Sequence, residues 1–175
     1  MDVEAQILKH LPRDARSSVS FIDKYCSSYK DLFPEVRSYE CFKYLHLGII
    51  SSISRKSLPE IAKVVGVNSP QVLHHFIANS PWSAAELRSR RLAKILEILQ
   101  GQAITVVIDE TGDRKKGNKT DYVARQYLGS VGKVDRGIVS VNAYGVYQNM
   151  TFPLDWKIFK PRGTLAEHDC YQTKI

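Results

Sequence analysis

A chain of 175 residues, 43% of them hydrophobic, holds one domain or two small ones and is too apolar for bulk disorder. Lys and Arg number 25 against 18 Asp and Glu, a net charge of +7 that favours a polyanionic partner, because each cation set against a phosphate releases a condensed counterion. Three scattered cysteines, Cys26, Cys41 and Cys170, make no disulfide framework and no CxxC zinc pair. The N-terminus has no signal-like apolar core, and no apolar run approaches the roughly 18 residues of a membrane helix. The expectation is a cytoplasmic protein with reduced thiols.

The first hundred residues read as helical. Val19–Leu32 and Tyr39–Ser52 carry apolar residues at three- and four-residue steps (Phe21, Ile22, Tyr25; Phe42, Leu45, Ile49), and Pro34 separates them. These aromatic residues are read as core.

Leu58–Ile77 has the spacing of a helix-turn-helix. Ala62 is the small residue at the helix crossing, Gly66 the turn, and Ile61, Val65, Val67 and Val72 the clamp. Ser69 or Asn68 is placed to cap the second helix, with Pro70 at its first position. Its outer face would offer Gln71, His74 and His75, and a glutamine can read adenine edges in the major groove. The other reading is a helical hairpin with no DNA role, since this helix has no Arg or Lys. His74 and His75 are neighbours and point to different sides of a helix, which argues against joint metal ligation.

Ser83-Ala-Ala-Glu86 reads as a capping box, with Trp82 and Leu87 as its staple. The helix it opens runs to about Gln100, with Leu87, Leu92, Ile95, Leu96 and Leu99 as its stripe and Gly101 as its stop. Arg88, Arg90, Arg91 and Lys94 decorate it, either as a solvated face or, for Arg88 and Arg91 in particular, as DNA contacts.

After Gly101 the pattern changes to strands. Ala103–Ile108 is a β-branched apolar run, as expected of a strand buried on both faces, and it ends in Asp109. A Gly- and Lys-rich loop follows over Glu110–Thr120. Strands are read at Tyr122–Leu128, Gly137–Tyr147 and Thr151–Phe159, with a turn at Gly129–Lys133 and a loop from Lys160 to the end. The domain reading is 1–101 helical and 102–175 stranded.

Asp109 carries the most chemistry. A carboxylate at the carboxyl end of a buried strand sits where open α/β sheets keep their ligand sites, although a strand-end aspartate also caps turns. Thr111-Gly112 would permit a tight turn. Arg114, Lys115, Lys116 and Lys119 set positive charge beside the carboxylate, which fits metal-assisted phosphodiester chemistry as well as it fits a solvated loop.

Asp109-Glu-Thr-Gly-Asp-Arg-Lys-Lys-Gly117 resembles the Asp-x-Thr-Gly-x-x-Lys-Lys-Gly signature of a group of DDE-superfamily insertion-sequence transposases. Val123-Ala-Arg-Gln-Tyr-Leu-Gly129 with Gly132-Lys133, Phe152-Pro-Leu154, Lys160-Pro-Arg-Gly163 and Asn79-Ser-Pro-Trp82 are similar to further segments of that group. The resemblance runs from about Ser57 onward and is strongest over Asp109–Gly163. It implies an α+β chain: an all-α half with a helix-turn-helix-like element, then the first strands of a ribonuclease H-like domain. In that fold three acids hold two Mg²⁺ or Mn²⁺ ions for in-line displacement at DNA ends. Asp109 matches the first acid and metal ligand. The second and third acids of the group follow later elements, and Asp135, Asp155, Glu167 and Asp169 match neither. The implied function is DNA transposition, with double-stranded DNA and further copies of the chain as partners, and with the chain alone inactive. The alternative is a non-catalytic DNA-binding regulator derived from a truncated transposase.

Overall fold

The computed structural model describes residues 13–117 and 119–172. Two compact units divide between Arg91 and Leu92. Among the described residues there are five α-helices and a four-stranded antiparallel sheet, a mixed α+β architecture.

In the first unit, α1 spans Ser20–Ser27, a 3₁₀ turn covers Lys30–Leu32, and α2 spans Val36–Ile50. Pro34 lies between them, where helix cannot continue. The apolar stripes are only partly buried. Ile22 and Phe42 enter the core, while Phe21 and Ile49 are each 58% exposed. Tyr29, Phe33, Tyr39 and Phe42 form a tilted aromatic cluster with neighbouring centroids 4.9–6.1 Å apart. Of the stripe aromatics read as core, Phe42 is buried in this cluster, whereas Phe21 and Tyr25 are exposed. Cys26 and Cys41 are buried free thiols in the same cluster, and Cys170 is an exposed one.

Two charged residues of α2 lie in this core. Glu40 accepts from both guanidinium nitrogens of Arg13 at 2.7 Å and from the Arg16 backbone N–H at 2.7 Å. Lys43 reaches Asp23 at 2.6 Å and donates to the Arg16 carbonyl. The extended segment before α1 is thus fastened to α2 by buried charges that are paired, the condition under which burial is tolerated.

Helix α3 (Leu58–Val64) and α4 (Pro70–Asn79) follow. Between them Gly66 has φ +72°. Val67 N–H donates to the Ala62 carbonyl at 2.8 Å and Gly66 N–H to Lys63 at 3.4 Å, the paired bonds of a Schellman stop. Ser69 Oγ accepts from Gln71 N–H, and Pro70 opens the helix. Ile61, Ala62, Leu73 and Phe76 are buried. Gly48 of α2 faces Ile61, leaving no room for a Cβ.

Helix α5 (Ala84–Leu99) starts at Ser83, whose Oγ accepts from the Glu86 N–H at 3.2 Å. Trp82 before it stacks on Phe76 at 5.5 Å and donates its ring N–H to the Phe76 carbonyl at 2.8 Å. That contact accounts for the tryptophan of the Asn-Ser-Pro-Trp segment. Gln100 and Gly101 both take positive φ and end the helix.

The second unit is built on β3 (Lys133–Tyr147). One side of β3 carries β1 (Thr105–Arg114), with Asp109 opposite Asn142. The other side carries β2 (Ala124–Leu128) and then β4 (Met150–Ile158) in succession. A register shift between Ala143 and Tyr144 accommodates Leu154 as an extra residue of β4. Phe152 covers Gly145, where a Cβ would come within 2.5 Å of its ring. The small core of one sheet face consists of Leu128 and Val139, with Gly112 and Gly137 beneath Leu128.

Three strand expectations are corrected. The run Thr105–Ile108 is exposed, not buried on both faces: β1 pairs with β3 alone among the described residues, so its other edge is unpaired. Asp109 lies inside β1, which continues to Arg114, so the loop begins at Lys115 and not at Glu110. Gly112 is a strand residue opposite Val139, not a turn. The tail is also more ordered than a plain loop. It contains a 3₁₀ turn at Arg162–Thr164, and Asp169 binds Lys160, accepts from Ala166 N–H at 3.0 Å and meets the Tyr122 hydroxyl at 3.5 Å. The lysine, before the others, holds the Asp169 carboxyl down at about 2.

Candidate functional site

Side chains directly opposite each other on antiparallel strands share a face. The register therefore places Asp109, Asn142 and Trp156 in one row across β1, β3 and β4. The next row is Thr111, Ser140 and Ile158. Asn142 Nδ2 donates to Thr111 Oγ1 at 3.2 Å and to Ser140 Oγ at 3.1 Å. Asp109 is exposed, and its Oδ1 accepts from the Glu110 N–H at 2.8 Å. The result is an open polar face on which Asp109 has neutral oxygen and amide groups as its neighbours, with a second carboxylate, Asp113, opposite Ile138 in the following row.

Thr111 follows from the motif, but Asn142, Ser140 and Trp156 were not singled out in the sequence. Only the strand register brings them beside Asp109, and no local spacing signals it. Among the described residues no group of three or more His, Cys, Asp or Glu is placed to hold a metal ion.

The basic residues at the end of β1 and in the loop after it divide into two kinds. Arg114 pairs with Asp135 at 3.1 Å and Lys115 pairs with Asp113. The Arg136 backbone N–H, and after it the nearby Arg114, hold Asp135 below the usual carboxylate range. Lys116 and Lys119 are exposed.

In the first unit, Gln71, His74 and His75 are all exposed on α4, the two histidines about 100° apart around the helix, while Leu73 and Phe76 are buried. Arg90 is not a general surface cation. It grips Asp31 through two bonds at 2.8 and 2.9 Å and donates to the Ser28 carbonyl at 2.6 Å. Arg88 and Arg91 are half-buried on the same helix.

The family described as DDE superfamily endonuclease matches residues 31–172, which includes helices of the first unit and the whole described sheet. The chain belongs to this family. A probable transposase for insertion sequence element IS701 from Microchaete diplosiphon is 57% identical over 163 residues, covering 93% of this chain and 43% of that protein. No solved structure matches. The match to the DDE endonucleases begins at residue 31, well before Ser57, where the motif resemblance starts, and so takes in α2. Members of this superfamily generally depend on divalent metal. Among the described residues no helix is long and apolar enough to cross a membrane.

Proposed function

We propose that this chain is the DNA-binding portion and first catalytic strand of a DDE transposase. Asp109 is the first metal-binding acid, and the α3–α4 pair is a helix-turn-helix that contacts the element's ends. The observation that carries the catalytic half is the position of Asp109: mid-strand, exposed, beside an unpaired sheet edge, on a face of hydrogen-bonded neutral polar groups. The helix-turn-helix reading rests on the Schellman stop at Gly66, the Ser69 cap, and the exposed polar face of α4.

The residues on the Asp109 face do not make a two-metal site. Two hard cations need several anionic oxygens, and Asp109 has only Thr111 and Asn142 as neutral neighbours; the other carboxylate of this face, Asp113, is roughly 13 Å further along β1 and paired with Lys115. What the chain itself does is present the Asp109 carboxylate in a fixed register and bind DNA.

Gel-shift titration of the purified chain against a duplex carrying an element end, and against an unrelated duplex, tests the reading. Binding that favours the element end supports it. Equal affinity for both duplexes removes the helix-turn-helix assignment, and no binding to either removes the DNA-binding assignment altogether.

A further inference from the structure

The β2–β3 hairpin carries the Ala-Arg-Gln-Tyr-Leu-Gly segment, to which the proposed function assigns no role. Its register sets Arg125 directly opposite Arg136. Both are exposed, and neither guanidinium has a hydrogen bond or ion pair among the described residues. Directly opposed like charges on adjacent strands destabilise a sheet. Asp135, the carboxylate next in sequence, lies on the other face and is engaged by Arg114.

Alternation along β3 fixes which face the pair occupies. Arg136, Ile138, Ser140 and Asn142 are two residues apart in turn, so Arg136 and Arg125 share the face of Asn142 and Asp109. The next row outward on that face pairs Val134 with Tyr127, a residue that is 58% exposed. The opposite face of the hairpin is the packed one, holding Leu128 over Gly112 and Gly137. The exposed side therefore presents an aromatic ring, two guanidiniums without a hydrogen-bonded partner, the paired Asp113 and Lys115 beside Ile138, a neutral polar row and then Asp109. Six residues of strand, about 20 Å, separate Arg136 from Asn142.

We propose that Arg125 and Arg136 form a phosphate clamp for the DNA backbone, on the face of the sheet that bears Asp109. Cβ atoms of directly opposed residues are about 5 Å apart, so two guanidinium forks can converge on one phosphodiester or on neighbouring ones. A bound phosphate turns the repulsion between them into two charge-assisted attractions. The proposal rests on the reading of the chain as a DNA-binding transposase portion and adds a contact outside the helical unit.

The test is the salt dependence of binding of the 175-residue chain to a random-sequence duplex. Arg125→Gln/Arg136→Gln is expected to reduce the slope of log K against log salt by about 1.8, and each single substitution by about 0.9. Arg125→Lys/Arg136→Lys keeps the charge and is expected to retain most of the slope, which guards against a folding artefact. Lys133→Gln, on the packed face of the same hairpin, is expected to leave the slope unchanged. Wild-type binding with a slope unaffected by the double Gln variant overturns the clamp and leaves DNA binding standing. A Lys133→Gln loss equal to that of either arginine also overturns it, because the effect is then bulk charge. Failure of the wild-type chain to bind any duplex at low salt overturns both the clamp and the reading beneath it.

Discussion

Leu128 lies so close over Gly112 that a Cβ on the glycine would stand 3.1 Å from the Leu128 Cα and 3.0 Å from its Cδ2. Two motif segments separated in sequence, Asp-x-Thr-Gly and Gln-Tyr-Leu-Gly, meet in this contact. Leu128 is fully buried, and Ser130 just beyond it donates to the Gly112 carbonyl at 2.6 Å. Gly112→Ala is expected to cost about 1–3 kcal/mol through overpacking, and Leu128→Ala about 2–5 kcal/mol through the cavity it leaves. In the double variant the smaller residue at 128 relieves part of the clash, so the two losses add to more than the combined one. Urea unfolding of the four proteins measures this coupling, and strict additivity would show that the contact is not the constraint.

The elements dictated by local chemistry were legible in the sequence. Proline, glycine and serine signals marked the helix pair, the α4 cap and the end of α5, because turns and caps depend on residues within a few positions of each other. The buried-strand expectation for Ala103–Ile108 failed for a different reason. Apolar β-branched composition reports the capacity for burial, and whether the strand is covered depends on elements remote in sequence. Gly112 likewise reads as a turn residue until Leu128 is known to lie above it. The motif singles out Asp109, whose role is a proposal, whereas its neighbours Asn142 and Ser140 become visible only through the β1–β3 register, a long-range property. The arginines of α5 look alike in sequence, and only the fold shows that Arg90 is occupied by Asp31.

Gly66 is the turn of the α3–α4 pair. Its φ of +72° is strained for any L side chain, although open space surrounds the position where a Cβ would stand. Gly66→Val is therefore expected to destabilise the helical unit by about 1–3 kcal/mol through backbone strain alone. Gly66→Asn should cost distinctly less, since asparagine tolerates the left-handed region. Equal losses for Val and Asn, read by thermal unfolding, would point to a lost contact in place of strain.

The Arg13–Glu40 pair makes acid sensitivity predictable. The hydrogen bonds from Arg13 are the largest influence on Glu40 and hold its carboxyl below its ordinary 4.5, against the opposing effect of burial. A depressed folded-state value means that the stabilisation is fully present above about pH 4.5 and is lost as pH falls through the folded value. Glu40→Gln is expected to cost about 1–2 kcal/mol at neutral pH, discounted because Arg13 is half exposed. The gap between wild type and variant should close as pH drops below 4.5. Stability curves that stay parallel from pH 7 to pH 3 would remove the ion pair as the cause.

Gln71 is exposed at the start of α4, and its side chain contributes nothing to the buried core. Gln71→Ala should leave unfolding within about 0.5 kcal/mol of wild type. If α4 enters the major groove, the same change relaxes base preference at one position, with about 1–3 kcal/mol of discrimination lost there. Binding selection against a randomised duplex would reveal this, and an unaltered preference would exclude Gln71 from base reading.

Asp109 ties the fold to the proposed chemistry. It is exposed, and its Oδ1 accepts from the Glu110 N–H, which leaves Oδ2 as the candidate ligand atom. Magnesium demands a near-octahedral set of oxygens and gives up its waters reluctantly, so a single carboxylate with neutral neighbours holds it only weakly. The 175-residue chain is accordingly expected to show millimolar or weaker Mg²⁺ affinity and no nicking of supercoiled DNA. Asp109→Asn is isosteric, and at an exposed position it should change stability by no more than about 0.5 kcal/mol. It should also leave metal-free DNA binding unchanged, because a carboxylate repels phosphate unless a cation lies between them. In a complete transposase bearing this segment, the same substitution should abolish cleavage while DNA-end binding persists. Metal-dependent nicking by the isolated chain, lost in Asp109→Asn, would show that the carboxylate works without the further acids the family requires and would overturn the division of labour proposed here.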